Sequence, residues 1–319
     1  MAIKHTQAKS LQKNKSNRLP FKMYLKNNGQ LYLMLLPAIA FYIIFHYMPL
    51  YGVQIAFKDY RAVDGIWGSE WVGFKHFLKF FDAYYFKRLI TNTFLLNLYG
   101  LIWMFPIPII LALMLNRIRN AKTKKFVQTT IYLPHFISTV VLVGMVYIFL
   151  SPTSGLFNTV RGWFGLKALD FMSMSSAFRT ISIASNIWQD AGFSSILFIA
   201  TLAGIDPTLY ESAELDGASV WKKILYIDLP TLVPTAMMVL ILDSGKLFAS
   251  GVQKILLLQT NGNITVSETI GTYVHNVGLG GAGLFSYTSA IGLFTNVVNF
   301  IMIIVVNKIS KKVAKVEMF

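Results

Sequence analysis

Six stretches of this chain are apolar over lengths that match a lipid bilayer, and this narrows its possible folds more than any other feature. A hydrocarbon core of about 30 Å is crossed by roughly 20 helical residues. Leu31 to Phe57 holds no Lys, Arg, Asp or Glu, and neither does Leu89 to Asn116. A third run goes from Phe126 to Leu150, where Ser151, Pro152, Ser154 and Gly155 signal a loop. The fourth, Ile181 to Gly204, contains one acid, Asp190, and the fifth, Leu232 to Leu258, contains Asp243, Lys246 and Lys254. The sixth, Ser286 to Val306, is uncharged. Charged residues make up 13% of the chain, against about a quarter in soluble domains. The expected fold is an all-α integral membrane protein with six transmembrane helices.

The first run is too long for the core of a secretory signal and has no small-residue cleavage site behind it, so it reads as an anchor. The net charge of +15 is sorted by loop. Lys4, Lys9, Lys13, Lys15, Arg18, Lys22 and Lys26 fill the N-terminal tail, and Arg117, Arg119, Lys122, Lys124 and Lys125 crowd the loop after the second run. Lys222 and Lys223 follow the fourth run, and Lys308, Lys311, Lys312 and Lys315 follow the sixth. These are eighteen cations, against nine in the alternate loops. By the positive-inside rule both termini are cytoplasmic, in a multi-pass protein of a bacterial plasma (inner) membrane. Topology and anionic lipid account for the basic excess, so no nucleic-acid partner is expected. The absence of cysteine excludes disulfides and thiolate chemistry.

The expected organisation is a basic tail (1–30), a first span (31–57), an ordered extracellular loop (58–88), a core of the remaining spans (89–307) and a cytoplasmic tail (308–319). Residues 259–285 are rich in Gly, Thr and Asn, and the glycine cluster 278–283 reads as a flexible turn before the last span. That cluster is no phosphate loop, since no Lys-Ser or Lys-Thr follows it.

The segment 205–230 is unlike a loop. Asp206 followed by Pro207 is a helix start, an acceptor followed by a residue whose missing N–H costs nothing there. Gly217 ends that helix or bends it sharply. A second short helix follows, with Val220, Trp221, Ile224 and Leu225 on one side, Lys222 and Lys223 on the other, and Pro230 as its stop. Helix, turn and helix make a projecting knob.

Glu211-Ser212-Ala213, three residues, Gly217, nine residues, then Ile227-Asp228-Leu229-Pro230 resembles the EAA motif of ABC importer permeases, with Ser212 in place of the middle Ala. Leu35-Leu36-Pro37, Tyr47-Met48-Pro49-Leu50-Tyr51-Gly52, Ala56-Phe57-Lys58-Asp59-Tyr60 and Trp71-Val72-Gly73-Phe74 are similar to the type I carbohydrate permeases, and within them to the complex-polysaccharide and oligosaccharide subfamily. So are Thr272-Tyr273-Val274 and Asn307-Lys308-Ile309-Ser310. The resemblance implies a type I permease core whose 206–217 coupling helix sits in a groove of a cytoplasmic ATPase. Glu211, Ser212, Ala213, Asp216 and Gly217 are then the ATPase-coupling residues. It further implies a second homologous permease, two ABC ATPase subunits, an extracellular solute-binding lipoprotein and a carbohydrate substrate. A non-sugar solute is the alternative.

The chain carries no nucleotide site of its own. Ser244-Gly245-Lys246 is followed by Leu247 and lacks the upstream glycine of a phosphate loop. ATP and Mg are therefore assigned to the partner, and no catalytic or metal-binding residue is expected. Polar groups at mid-membrane depth are functional candidates: Gln189 and Asp190 in the fourth run, Asp243 in the fifth, Asn296 and Asn299 in the sixth. Each can hydrogen-bond sugar hydroxyls, and Trp188 can stack on a sugar face. The same groups can instead join helices, and Asp243 can pair with Lys246. His46 and His135 read as interfacial or packed. A secondary transporter explains the spans without explaining the knob, and no enzyme motif supports an integral-membrane enzyme.

Overall fold

The computed structural model of the protein describes residues 28–249, 251–280 and 283–314. The basic residues of the N-terminal tail up to Lys26, together with Lys315, Gly281 and Ala282, lie outside the described residues. The chain divides into two compact units, residues 1–54 and 55–319.

In the first unit, α1 (Gly29–Tyr42) runs into a π-helical turn, Ile43–Tyr47, just ahead of Pro49. Proline lacks an N–H, and its ring collides with the carbonyl four residues back. The wider turn moves that carbonyl aside, and the Met48 N–H reaches the Ile43 oxygen five residues away. Large apolar side chains such as Leu33 and Met34 are exposed on this helix, which is apolar all round, as a lipid-facing helix is.

The second unit begins with a small lobe. β1 (Lys58–Asp59) and β2 (Glu70–Trp71) pair antiparallel, with Lys58 opposite Trp71. Asp59 takes Lys75 Nζ at 2.5 Å and His76 Nε2 at 2.9 Å from α2 (Lys75–Phe81). The Lys75 hydrogen bond holds the Asp59 carboxyl below the usual carboxylate range, against a smaller opposing effect of burial. The Tyr60 N–H donates to Ser286 Oγ at 2.8 Å and ties the lobe to the start of the last helix.

Four helices are long and apolar enough to cross a bilayer: Gly29–Phe57, Phe86–Asn116, Val220–Ser244 and Phe285–Lys312; two bent helix pairs bring the number to six. The second span consists of α3 (Phe86–Met104) and α4 (Pro106–Asn116), continuous through Phe105, whose N–H still reaches the Leu101 oxygen. The third is not the straight helix expected from Phe126 to Leu150. α5 (Ala121–Tyr132), a 3₁₀ turn (Leu133–Phe136) and α6 (Thr139–Leu150) meet at a 99° bend. Pro134 starts the tighter turn, Ile137 is extended, and Ser138 caps α6 by accepting from the Val141 N–H at 3.4 Å. α7 (Leu156–Trp163) follows in the connection to the next span.

α8 (Ser175–Ala203) has 29 residues and begins before the apolar run that marked it. It packs along α4 and also touches α3 and α5. α9 (Pro207–Leu215) leaves it at 71°. The fifth span differs most from expectation. α10 (Val220–Lys223), a π turn (Ile224–Asp228) and α11 (Leu229–Ser244) form one helix. Pro230 therefore stops nothing: the Leu229 N–H bonds to the Ile224 oxygen, the same wide turn that precedes Pro49. The short helix expected after Gly217 is the first turn of the span. At its other end the span stops at Ser244, and α12 (Val252–Leu258) is separate. The 259–285 segment holds α13 (Ile270–Gly278), whose start is fixed by a reciprocal Thr269–Thr272 cap. α14 (Phe285–Ala314) completes the bundle.

Three buried apolar clusters form, around Leu258 and Phe178, around Phe198 and Leu232, and around Phe80 and Ile291. Between α8 and α5 the backbones touch, since a Cβ added at Gly192 would overlap the Ile131 carbonyl. Overpacking of this kind costs about 1–3 kcal/mol. Gly192→Ala is expected to lower the midpoint of thermal unfolding in detergent, and an unchanged midpoint would show that the two helices part freely.

Candidate functional site

The projecting segment after α8 is built by its sequence. Asp206 caps α9, with Oδ1 accepting from the Thr208 N–H at 2.9 Å, and Pro207 occupies the first helical position. That backbone bond holds the Asp206 carboxyl below the usual range. At the other end Gly217 has φ +70°. The Ala218 N–H bonds to the Ala213 oxygen at 2.8 Å and the Gly217 N–H to the Glu214 oxygen at 3.0 Å, the two bonds of a Schellman cap. A Cβ at this φ is strained, so glycine suits the position. Glu211, Ser212 and Asp216 are exposed, and Ala213 is half-buried. Leu215, at 91% exposure, and Trp221 are also uncovered.

The root of this helix is clamped. Asp228 is completely buried. Its Oδ1 accepts from Tyr210 Oη at 2.5 Å, and its Oδ2 takes an ion pair from Arg117 at the end of α4. The guanidinium also lies over the Tyr210 ring, 5.5 Å from its centre. Burial, then the bond to the Asp228 carboxylate, pushes the Tyr210 hydroxyl up to about 12. A group raised in the folded state contributes fully below its unfolded value, near 10 for tyrosine, and is lost as pH rises through its folded value. The bond therefore persists throughout the physiological range. A second tie is Lys223 Nζ to Glu214 Oε1 at 2.6 Å. Lys223 was expected on the polar side of its helix; it is buried instead, with its stem in the protein and its ammonium on this carboxylate. The Lys223 bond lowers the Glu214 carboxyl, so this tie is lost only in acid, as pH falls through that lowered value.

The mid-membrane candidates divide among several places. Gln189 Nε2 donates at 2.9 Å to the Ile137 oxygen, the carbonyl left free where α5 and α6 break apart. Asp190 Oδ1 lies 2.9 Å from His135 Nδ1, and the His135 ring stacks on Phe193 at 3.9 Å. Asn299 Oδ1 accepts from the Phe248 N–H at 2.9 Å, in the irregular stretch after α11. Asn296 is exposed on α14. Trp188 lines a 600 Å³ apolar hollow with Leu142, Val146 and Phe171. Asp243, expected in the middle of the fifth span, stands at its end and pairs with Lys246 at 3.1 Å in the wall of a 290 Å³ cavity, which Asn97, Ser182, Asn186 and Lys254 also line.

Residues 104–315 match the family described as the binding-protein-dependent transport system inner membrane component. The chain belongs to this family. It is 40% identical to the polygalacturonan/rhamnogalacturonan transport system permease protein YteP of Bacillus subtilis, over 94% of this chain and 92% of that one. Protein LplB of the same organism is 39% identical over 90% of each. Among solved structures, a bacterial ABC transporter involved in the import of the acidic polysaccharide alginate superposes with a TM-score of 0.84. It is 39% identical, covering 92% of this chain and 98% of that one. The alginate transporter in complex with an alginate pentasaccharide-bound periplasmic protein gives 0.85, again at 39% identity, with 93% of this chain and 99% of that one covered. This permease is thus an inner-membrane transport component with the mostly helical fold of the type I ABC importers.

Sequence reading missed the clamp of this permease. Arg117 and Asp228 are 111 residues apart, and Tyr210 lies unremarked one residue ahead of the motif. The available signal was the charge of Asp228, standing between Ile227 and Leu229 at the edge of an apolar run. A hydrogen bond to a charged group contributes about 1.5–3 kcal/mol. Tyr210→Phe is expected to speed amide exchange across 207–217 about tenfold or more, read by hydrogen–deuterium exchange mass spectrometry. Unaltered exchange would show that the clamp does not hold the helix.

Proposed function

We propose that this permease carries a carbohydrate, an oligosaccharide or polysaccharide fragment, into the cell. An extracellular solute-binding protein delivers the solute, and partner ATPase subunits hydrolyse ATP. The names of the relatives support the solute class. The carrying observation for coupling is the α9 segment: a short helix capped at both ends, exposed along Glu211, Ser212 and Asp216 and clamped at its root. A rigid projection of this kind passes displacement to the spans it joins, here α8 and the helix that starts at Val220. In this reading ATP and Mg are bound by two cytoplasmic ATPase subunits and none by this chain. A second, homologous permease completes the pathway. Both termini and α9 face the cytoplasm, in agreement with the sorting of Lys and Arg. Of the six pathway candidates, Asp243 is the one that lines the 290 Å³ cavity.

The test is ATP-dependent uptake by the reconstituted complex. Gly217→Pro and Glu211→Arg are expected to abolish uptake while ATP hydrolysis continues; unchanged uptake in both would overturn the coupling role. Because the chain has no cysteine, a single Ser212→Cys substitution reports sidedness directly. Labelling by a membrane-impermeant thiol reagent is expected from the cytoplasmic face only, and labelling of intact cells from outside would reverse the topology.

A further inference from the structure

The cavity between α3, α8 and the segment after α11 has two lysines and one acid in a wall that is otherwise largely apolar, Lys246, Lys254 and Asp243. Asp243 and Lys246 neutralise each other at 3.1 Å. Lys254 is different. It is only 9% exposed, and its ammonium makes a 2.6 Å hydrogen bond to Asn186 Oδ1, a neutral group. No carboxylate lies within ion-pair distance of it among the described residues. Asp190 attracts it only from farther away and is engaged by His135. A buried charge needs a paired charge or full solvation, and in a membrane protein such a group marks a pathway or its partner. Lys254 has one fixed acceptor where an ammonium offers three donors, and the remaining donors are next to the open space of the cavity. An anion entering from that space supplies what the wall lacks.

We propose that Lys254 receives the carboxylate of an acidic sugar, so that the permease itself selects uronate-containing saccharides over neutral ones. Asn186 orients the ammonium, and the Asp243–Lys246 pair borders the same space without cancelling its charge. The 290 Å³ volume is near the lower end of small-molecule sites, which suits passage of a saccharide unit by unit past one cation. The inference rests on the reading that the chain is a carbohydrate importer permease.

The test compares ATP-dependent uptake of an oligogalacturonate and of its methyl ester, the same skeleton without charge, by the full complex in liposomes. The binding protein is identical in every arm, so a change in the acid-to-ester ratio between permease variants belongs to the permease. Lys254→Gln is expected to reduce acid uptake at least tenfold and to leave ester uptake near wild type, while Lys254→Arg keeps the preference. Asn186→Asp, nearly isosteric, gives the lysine a permanent counter-ion and is expected to lose the preference with the lysine still present. This second variant decides the matter if Lys254→Gln does not assemble. An unchanged ratio in either assembled variant, or an equal fall for both substrates, overturns the inference and leaves the importer reading intact. Absence of ATP-driven uptake of either compound by the wild-type complex overturns both.

Discussion

Inside a bilayer there is no water to bond a free peptide group, so every departure from a helix must be repaired by the protein itself. This permease departs repeatedly, and at each break a particular group makes the repair. At the bend between α5 and α6, the Gln189 amide takes the free Ile137 carbonyl. Where α11 ends, Asn299 takes the Phe248 N–H. At Pro49 and Pro230 the helix widens by one residue, and no side chain is needed. The repairs account for Gln189 and Asn299 among the buried polar residues of its helices.

That requirement also explains what the sequence made legible. Apolar length located six spans, because hydrocarbon thickness is a one-dimensional constraint. It misplaced the ends of the fifth. Trp221, Ile224 and Leu225 belong to the span although Lys222 and Lys223 interrupt them, since Lys223 turns inward to Glu214 and hides its charge. The third span's bend had one visible sign, Pro134, and the bond that completes the break comes from Gln189 on another helix. Asp206, Pro207 and Gly217 were read correctly as the limits of a helix, since caps are local chemistry. The clamp was beyond reach, because nothing local links Arg117 to Asp228.

The candidate pathway residues illustrate the difference between depth and direction. Counting placed Gln189, Asp190, Asp243 and Asn299 at a similar depth, but the fifth span ends at Ser244, so Asp243 stands at its end, and the four side chains serve a broken helix, a histidine, a cavity wall and an irregular turn. Depth follows from counting along a helix. Direction depends on which neighbour needs a bond, and that is a property of the assembled bundle. Lys254 is the clearest example, a charge that counting alone treats as an interruption and that the fold places against open space.

The two ties of α9 have a mechanical consequence. A hinged arm attached at one end swings under load and dissipates the stroke in its own pivot. Here Glu214 is fastened to Lys223, and Tyr210 is fastened through Asp228 to Arg117, so the arm is braced against two different spans. In the coupling role proposed above, a push on its tip would arrive as a torque on those spans, with little of the motion absorbed at the joint.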